Sequence, residues 1–74
     1  MKYSDGEEIQ VGDLVENSEG DRGTVVCSFD TNQYSVDYTR ENWGYLKRGV
    51  LVNFSSFGLI HYESDQNDFR LINQ

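Results

Sequence analysis

Apolar residues in this chain fall in short runs, each closed by glycine or by a polar cluster, and none keeps a helical spacing over eleven or more residues. Five runs are rich in Val, Ile, Leu, Phe and Tyr: "LVEN" (14–17), "GTVVCSF" (23–29), "GVLVNF" (49–54), "GLIHY" (58–62) and "FRLI" (69–72). That composition and length predict strands. Alternation sets their faces. Val25, Cys27 and Phe29 are expected on one side of the second run, with Thr24, Val26 and Ser28 on the other. Val50, Val52 and Phe54 share a face, as do Ile60 and Tyr62, and Leu14, Leu71 and Ile72 are expected to close the ends of the core.

The joints are short. "SEGDRG" (18–23) offers two glycines around a charged tip, as a hairpin loop that visits positive φ requires. "SSFG" (55–58) predicts a second hairpin. "ESDQND" (63–68) is polar and too short for a helix, so it predicts a turn or a single 3₁₀ turn before the last strand. The segment 30–48, between the second and third runs, is the exception. A loop of that length in a small domain is functional or contains structure that periodicity does not register.

Short strands, tight hairpins and one long loop predict an all-β fold: a bent, five-stranded antiparallel barrel, closed because an open sheet would leave its apolar face wet. A family likeness agrees. "VGDLVENSEGDRGTVV" (11–26) is similar to the opening of SH3-like barrels of the KOW and Tudor type, in which a V-G-D-x-V strand passes through a glycine turn into G-x-V-V. "DQNDFRLIN" (65–73) resembles their 3₁₀ turn and final strand. The resemblance covers about two thirds of the chain and implies an SH3-like barrel spanning 1–74 as a single domain.

At 74 residues the chain has room for one thin core, burying about 60% of its unfolded surface. Aromatic residues make up 14% of it, which argues against disorder. The one cysteine, Cys27, cannot form a disulfide framework and reads as a small core residue. No basic-then-apolar leader opens the sequence and no apolar run reaches membrane-spanning length, so a cytoplasmic protein without a membrane partner is expected.

Net charge is −7, from 13 acidic and 6 basic side chains. Nucleic-acid binders usually carry the opposite balance, whereas acidity favours solubility and basic partners. Neither "DTNQYSVDYTRE" (30–41) nor "ESDQND" matches a calcium loop: the first lacks the turn glycine and the second the ligand count. With one His and one Cys far apart, zinc is not expected either, and no cofactor is. His61 alternates with Ile60 and Tyr62 and reads as a surface strand residue without a nucleophile to activate.

The remaining candidate is the connector. "SVDYTRENWGYLKRG" (35–49) carries Tyr38, Trp43 and Tyr45 in a stretch that patterns as neither strand nor helix. Rings of that size in a connector either cover the core or meet a partner. Trp43 is read as a lid on the open end of the core, and Tyr34 and Tyr38 as outward-facing. With Asp37 and Glu41 beside them, Tyr34, Tyr38, Trp43 and Tyr45 form the expected partner-binding surface, suited to a basic protein. The likeness to Tudor barrels implies the same use of loop aromatics, for peptides or, through cation–π attraction, for modified lysines.

Three functions follow. The first is a non-catalytic protein-binding module, in the form of a bacterial accessory or immunity-type protein that masks a basic surface. The second is a KOW-like nucleic-acid or ribosome-associated module, with Arg40, Lys47 and Arg48 interleaved among the rings. The third comes from a further resemblance, to the plasmid-borne type II dihydrofolate reductases, which share a G-D-x-V strand, a "YSV" segment and an end like "RLIN" (70–73). Their Val-Gln-Ile-Tyr reacting run would correspond to Gly58-Leu59-Ile60-His61-Tyr62, with His61 in the glutamine position. The chain is read as not an enzyme. Pairing with a second copy is open to each form, since a small domain gains core by it.

Overall fold

The computed structural model describes residues 3, 6–63 and 69–72. Among the described residues, six strands form one antiparallel sheet: β1 (Leu14–Glu16), β2 (Arg22–Ser28), β3 (Gln33–Tyr34), β4 (Val50–Phe54), β5 (Gly58–Tyr62) and β6 (Arg70–Leu71). The five predicted strands are present within a residue or two of their expected bounds. The sixth, β3, lies inside the long connector and is two residues long, too short for alternation to mark it.

The order along the sheet is β5-β4-β2-β1-β6, with β3 joined to β2 beyond the end of β1. The sheet is not closed: no pairing joins β5 to β6 among the described residues. A closed five-stranded barrel is therefore not what is seen, although β6 does return to pair with β1. The 3₁₀ turn expected before the last strand lies in 64–68, outside the described residues.

Both predicted hairpins form. Between β1 and β2, the Asn17 Oδ1 accepts the backbone N–H of Glu19 and of Asp21, each at 2.9 Å, and Gly20 takes φ 89°. The side chain thus closes the turn and the glycine supplies its left-handed step. Between β4 and β5, Ser55–Phe57 turn the chain and Gly58 adopts φ 90°.

One face of the sheet is the main core. Val15, Val25, Val50, Val52 and Phe54 are sealed there, with Ile60, Tyr62 and Leu71 packed against them. Tyr3, Ile9 and Phe69 complete this core, and the Phe69 ring meets Tyr62 edge-on at 4.8 Å between centroids. Ile9 and Tyr3 stand outside any strand, which is why alternation does not nominate them. Leu14 does not close the core. It precedes the inward-facing Val15, so it points to the other face and is 44% exposed.

The face assignment of β2 also changes partway along. Val25 pairs with Val52, but Cys27 pairs with Leu51, so the ladder skips Val26. This β-bulge sets two residues of β2 against one of β4 and reverses the alternation. Val25 therefore faces the main core, while Cys27 and Phe29 join Val26 and Leu51 in a second cluster on the outer face. The three residues expected to share a side are divided by one extra residue.

Candidate partner-binding site

The second cluster is the floor on which the connector is built. Past β2 the chain turns through Asn32, at φ 59°, and pairs back as β3, with Cys27 opposite Tyr34. The Ser35 N–H then donates to Val26 O at 3.0 Å, and the Tyr38 N–H donates to Ser35 O at 3.1 Å. This tight turn leaves Val36 at its tip, 88% exposed. Farther in, the Cys27 thiol donates to Tyr38 O at 3.4 Å. Burial pushes the Cys27 thiol above its usual range, only partly offset by a backbone hydrogen bond from Ser35, so it is a poor nucleophile.

Beyond Thr39 the chain makes a helical turn, α1 (Arg40–Trp43), followed by a 3₁₀ turn, Gly44–Leu46. The N–H groups of Asn42 and Trp43 both donate to Thr39 O. Four residues are too few to stand alone. What holds this turn is burial of one side: Trp43 and Leu46 pack on Val26, Cys27, Phe29 and Leu51, beside Tyr34 and Tyr38.

Tyr34 meets Phe29 edge-on at 5.8 Å, Tyr38 lies 5.9 Å from Trp43, and Trp43 stacks on Tyr45 at 6.5 Å with 21° between the planes. Tyr34, Tyr38 and Trp43 are half-buried. Trp43 lies over the second cluster on the outer face and not at an open end of the main core, and the tyrosines are more covered than expected because β3 and the following turn press them onto the same cluster. Tyr45 is the ring left in water, 69% exposed on the far side of Trp43. Asp37 and Glu41 are both exposed, with Glu41 in the first turn of α1 and four residues before Tyr45.

The acidity does not come from the connector. Residues 30–48 carry three carboxylates (Asp30, Asp37, Glu41) and three cations (Arg40, Lys47, Arg48), leaving the chain's excess of negative charge on the rest of the molecule. Among the described residues, no cluster of three or more His, Cys, Asp or Glu side chains is placed to hold a metal ion, and no helix is long and apolar enough to cross a membrane.

His61 lies on the outer face, as alternation predicts, but it is not free-standing. Its Nε2 is 2.8 Å from Arg48 O, its ring meets Phe29 edge-on at 5.6 Å, and its Nδ1 is 3.9 Å from a Glu63 carboxylate oxygen. No sequence pattern couples Arg48 to His61; the contact exists because β5 lies beside β4 where the connector ends.

In the other half of the outer face, among the described residues, Leu14, Asn53 and Leu59 are exposed. Leu14, Thr24, Asn53 and Leu59 form one cross-strand row, and Leu14, Thr24, Asn53, Ser55 and Ile72 line an open groove of about 340 Å³. Glu16 stands at its end between Arg22 and Arg70, at 3.6 and 2.6 Å. No family model matches the chain, and neither a curated protein nor a solved structure shows significant similarity to it.

Proposed function

We propose that this chain is a non-catalytic binding module on an SH3-like barrel frame of the KOW and Tudor kind, gripping a basic protein partner through its aromatic connector. The frame is supported by the strand order, a meander whose last strand returns to the first. The site is supported chiefly by one observation: Tyr45 is 69% exposed and held flat against a half-buried Trp43. A ring fixed in this way offers contact area without first losing its own freedom, which is what interface hot spots use. Val36 at the neighbouring tip adds an apolar contact. Asp37 and Glu41 add local acceptors, while the net charge of −7 steers a basic partner from a distance. An accessory or immunity-type protein of the bacterial cytoplasm, masking a basic surface, has this combination of size and charge.

The test is a comparison of partner capture by the parent chain with capture by Tyr45→Ala and Val36→Asp, with far-UV circular dichroism verifying the fold. Both substitutions are expected to abolish capture without unfolding the chain. Equal capture by all three proteins would remove the connector as the binding surface. Titration of single- and double-stranded oligonucleotides at low salt is expected to give no binding, and saturable binding there would move the assignment to nucleic acid. Turnover of dihydrofolate with a reduced nicotinamide cofactor is likewise expected to be absent.

A further inference from the structure

The exit of the connector is strained, and the strain is held from one side. The Arg48 N–H donates to Leu46 O at 2.7 Å, closing a three-residue turn around Lys47, which takes φ 66°. Such turns are rare, and a residue with a Cβ adopts that conformation only when its surroundings over-determine it. The turn is pinned immediately downstream. The Phe29 N–H donates to Gly49 O at 2.9 Å and the Gly49 N–H to Asp30 Oδ1 at 3.3 Å. Between the strained residue and these pins stands Arg48, whose carbonyl oxygen is met by His61 Nε2 at 2.8 Å. A carbonyl can only accept, so Nε2 carries the proton. The imidazole is braced in turn by the edge of Phe29 and stands in register with Leu51 on β4.

We infer that His61 is a positioning residue: by donating to Arg48 O it clamps the left-handed turn at Lys47 and so fixes where Trp43 and Tyr45 lie. The upstream end of the connector is secured at β3 and at Tyr38 O, which leaves the downstream end to set the platform. Its consequence for binding rests on the function proposed above; the clamp itself does not.

Side-chain isosteres separate the two ring nitrogens. In His61→Gln the amide nitrogen occupies roughly the place of Nε2 and keeps the donor, whereas in His61→Asn it lies near Nδ1 and cannot reach Arg48 O. Trp43 is the chain's one tryptophan and reports on the platform without any partner. His61→Asn is expected to red-shift Trp43 emission and to raise its acrylamide quenching about twofold, with His61→Gln matching the parent. Lys47→Gly removes the left-handed penalty, so in that background the His61→Asn effect is expected to fall to about half or less, the mark of coupled sites. The Lys47→Gly background also supplies the comparison if His61→Asn alone does not fold. Identical quenching in the Gln and Asn variants, or an undiminished Asn effect in the Lys47→Gly background, would overturn the clamp. If quenching behaves as expected but partner capture is the same in both variants, the clamp does not govern binding and its proposed consequence is overturned.

Discussion

The two faces of the sheet are built by opposite means. On the inner face, Val15, Val25, Val50 and Val52 are fully buried and Phe54 almost so, supplied by the β1–β2 hairpin and by β4, which lies beyond the connector. On the outer face, four residues (Val26, Cys27, Phe29 and Leu51) are buried, beneath a layer of half-buried rings from one continuous stretch. The inner core forms only when the strands assemble. The outer cluster also needs β2 beside β4, but the layer that covers it comes from the connector alone. The first is expected to carry stability and the second to tolerate change, which is the division a binding module needs.

The change that breaks both at once lies where they meet. Gly49 has φ 85°, and a Cβ there would collide with the Tyr62 carbonyl and come within 2.9 Å of Glu63 Cα. Neither obstacle is a movable side-chain tip, so β4 and β5 must separate. Gly49→Ala is expected to cost about 4 kcal/mol or more, leaving little cooperative unfolding to measure by denaturant titration. A mild loss would show that the connector can leave the sheet at some other angle.

A pair of substitutions on β4 then tests the division itself. Phe54→Ala empties the inner core and is expected to cost about 3–5 kcal/mol, against about 2–3 kcal/mol for Leu51→Ala beneath the connector. The sharper distinction is spectroscopic. Leu51→Ala is expected to expose Trp43 under native conditions, seen as a red-shifted emission, whereas Phe54→Ala exposes it only on global unfolding. If the two variants alter Trp43 alike, there is one core and not two.

These assignments also show where sequence patterning succeeds. Val50, Val52 and Phe54, like Ile60 and Tyr62, obey a strict period of two on regular strands, and their shared face is legible directly. Cys27 and Phe29 are not, because the bulge at Val26 inserts one residue and every later position changes side. Ile9 and Tyr3 lie beyond the reach of periodicity altogether. In the connector, partial cover of Trp43 is inferable from the cost of wetting an indole, but its place over the outer-face cluster, and not at an end of the main core, is not. The half-burial of Tyr34 and Tyr38 depends instead on a two-residue strand, and the His61–Arg48 contact on strand adjacency, and neither has a local signature.

Within the outer layer, Trp43 and Tyr45 stack on one another yet are expected to respond differently. Trp43→Ala removes one of the half-buried rings packed on the second cluster and is expected to cost about 1–2 kcal/mol. Tyr45→Ala removes an exposed ring and is expected to change stability by no more than about 0.5 kcal/mol, with its effect confined to partner capture. Equal costs by thermal or urea unfolding would mean that Tyr45 belongs to the fold, and the contrast between a structural ring and a recognition ring would fail.

The smallest effect concerns the floor of the outer cluster. Cys27 is fully buried, and burial raises its thiol pKa from the ordinary value of 9.0. The unfolded chain therefore loses the thiol proton first as pH rises, and binds fewer protons than the native state above that point. Stability follows the difference in bound protons, so this contribution is complete below the ordinary thiol value and declines as pH climbs through it toward the raised native one. Between about pH 8 and about pH 9.5 the urea midpoint of the parent chain is expected to fall more steeply than that of Cys27→Ala, a range still below the usual tyrosine titration. The comparison is between slopes, so the cavity left by the alanine does not enter. Parallel slopes would mean that the outer cluster admits water to its floor, and that it is a looser layer than the packing of Trp43 and Tyr38 over Cys27 implies.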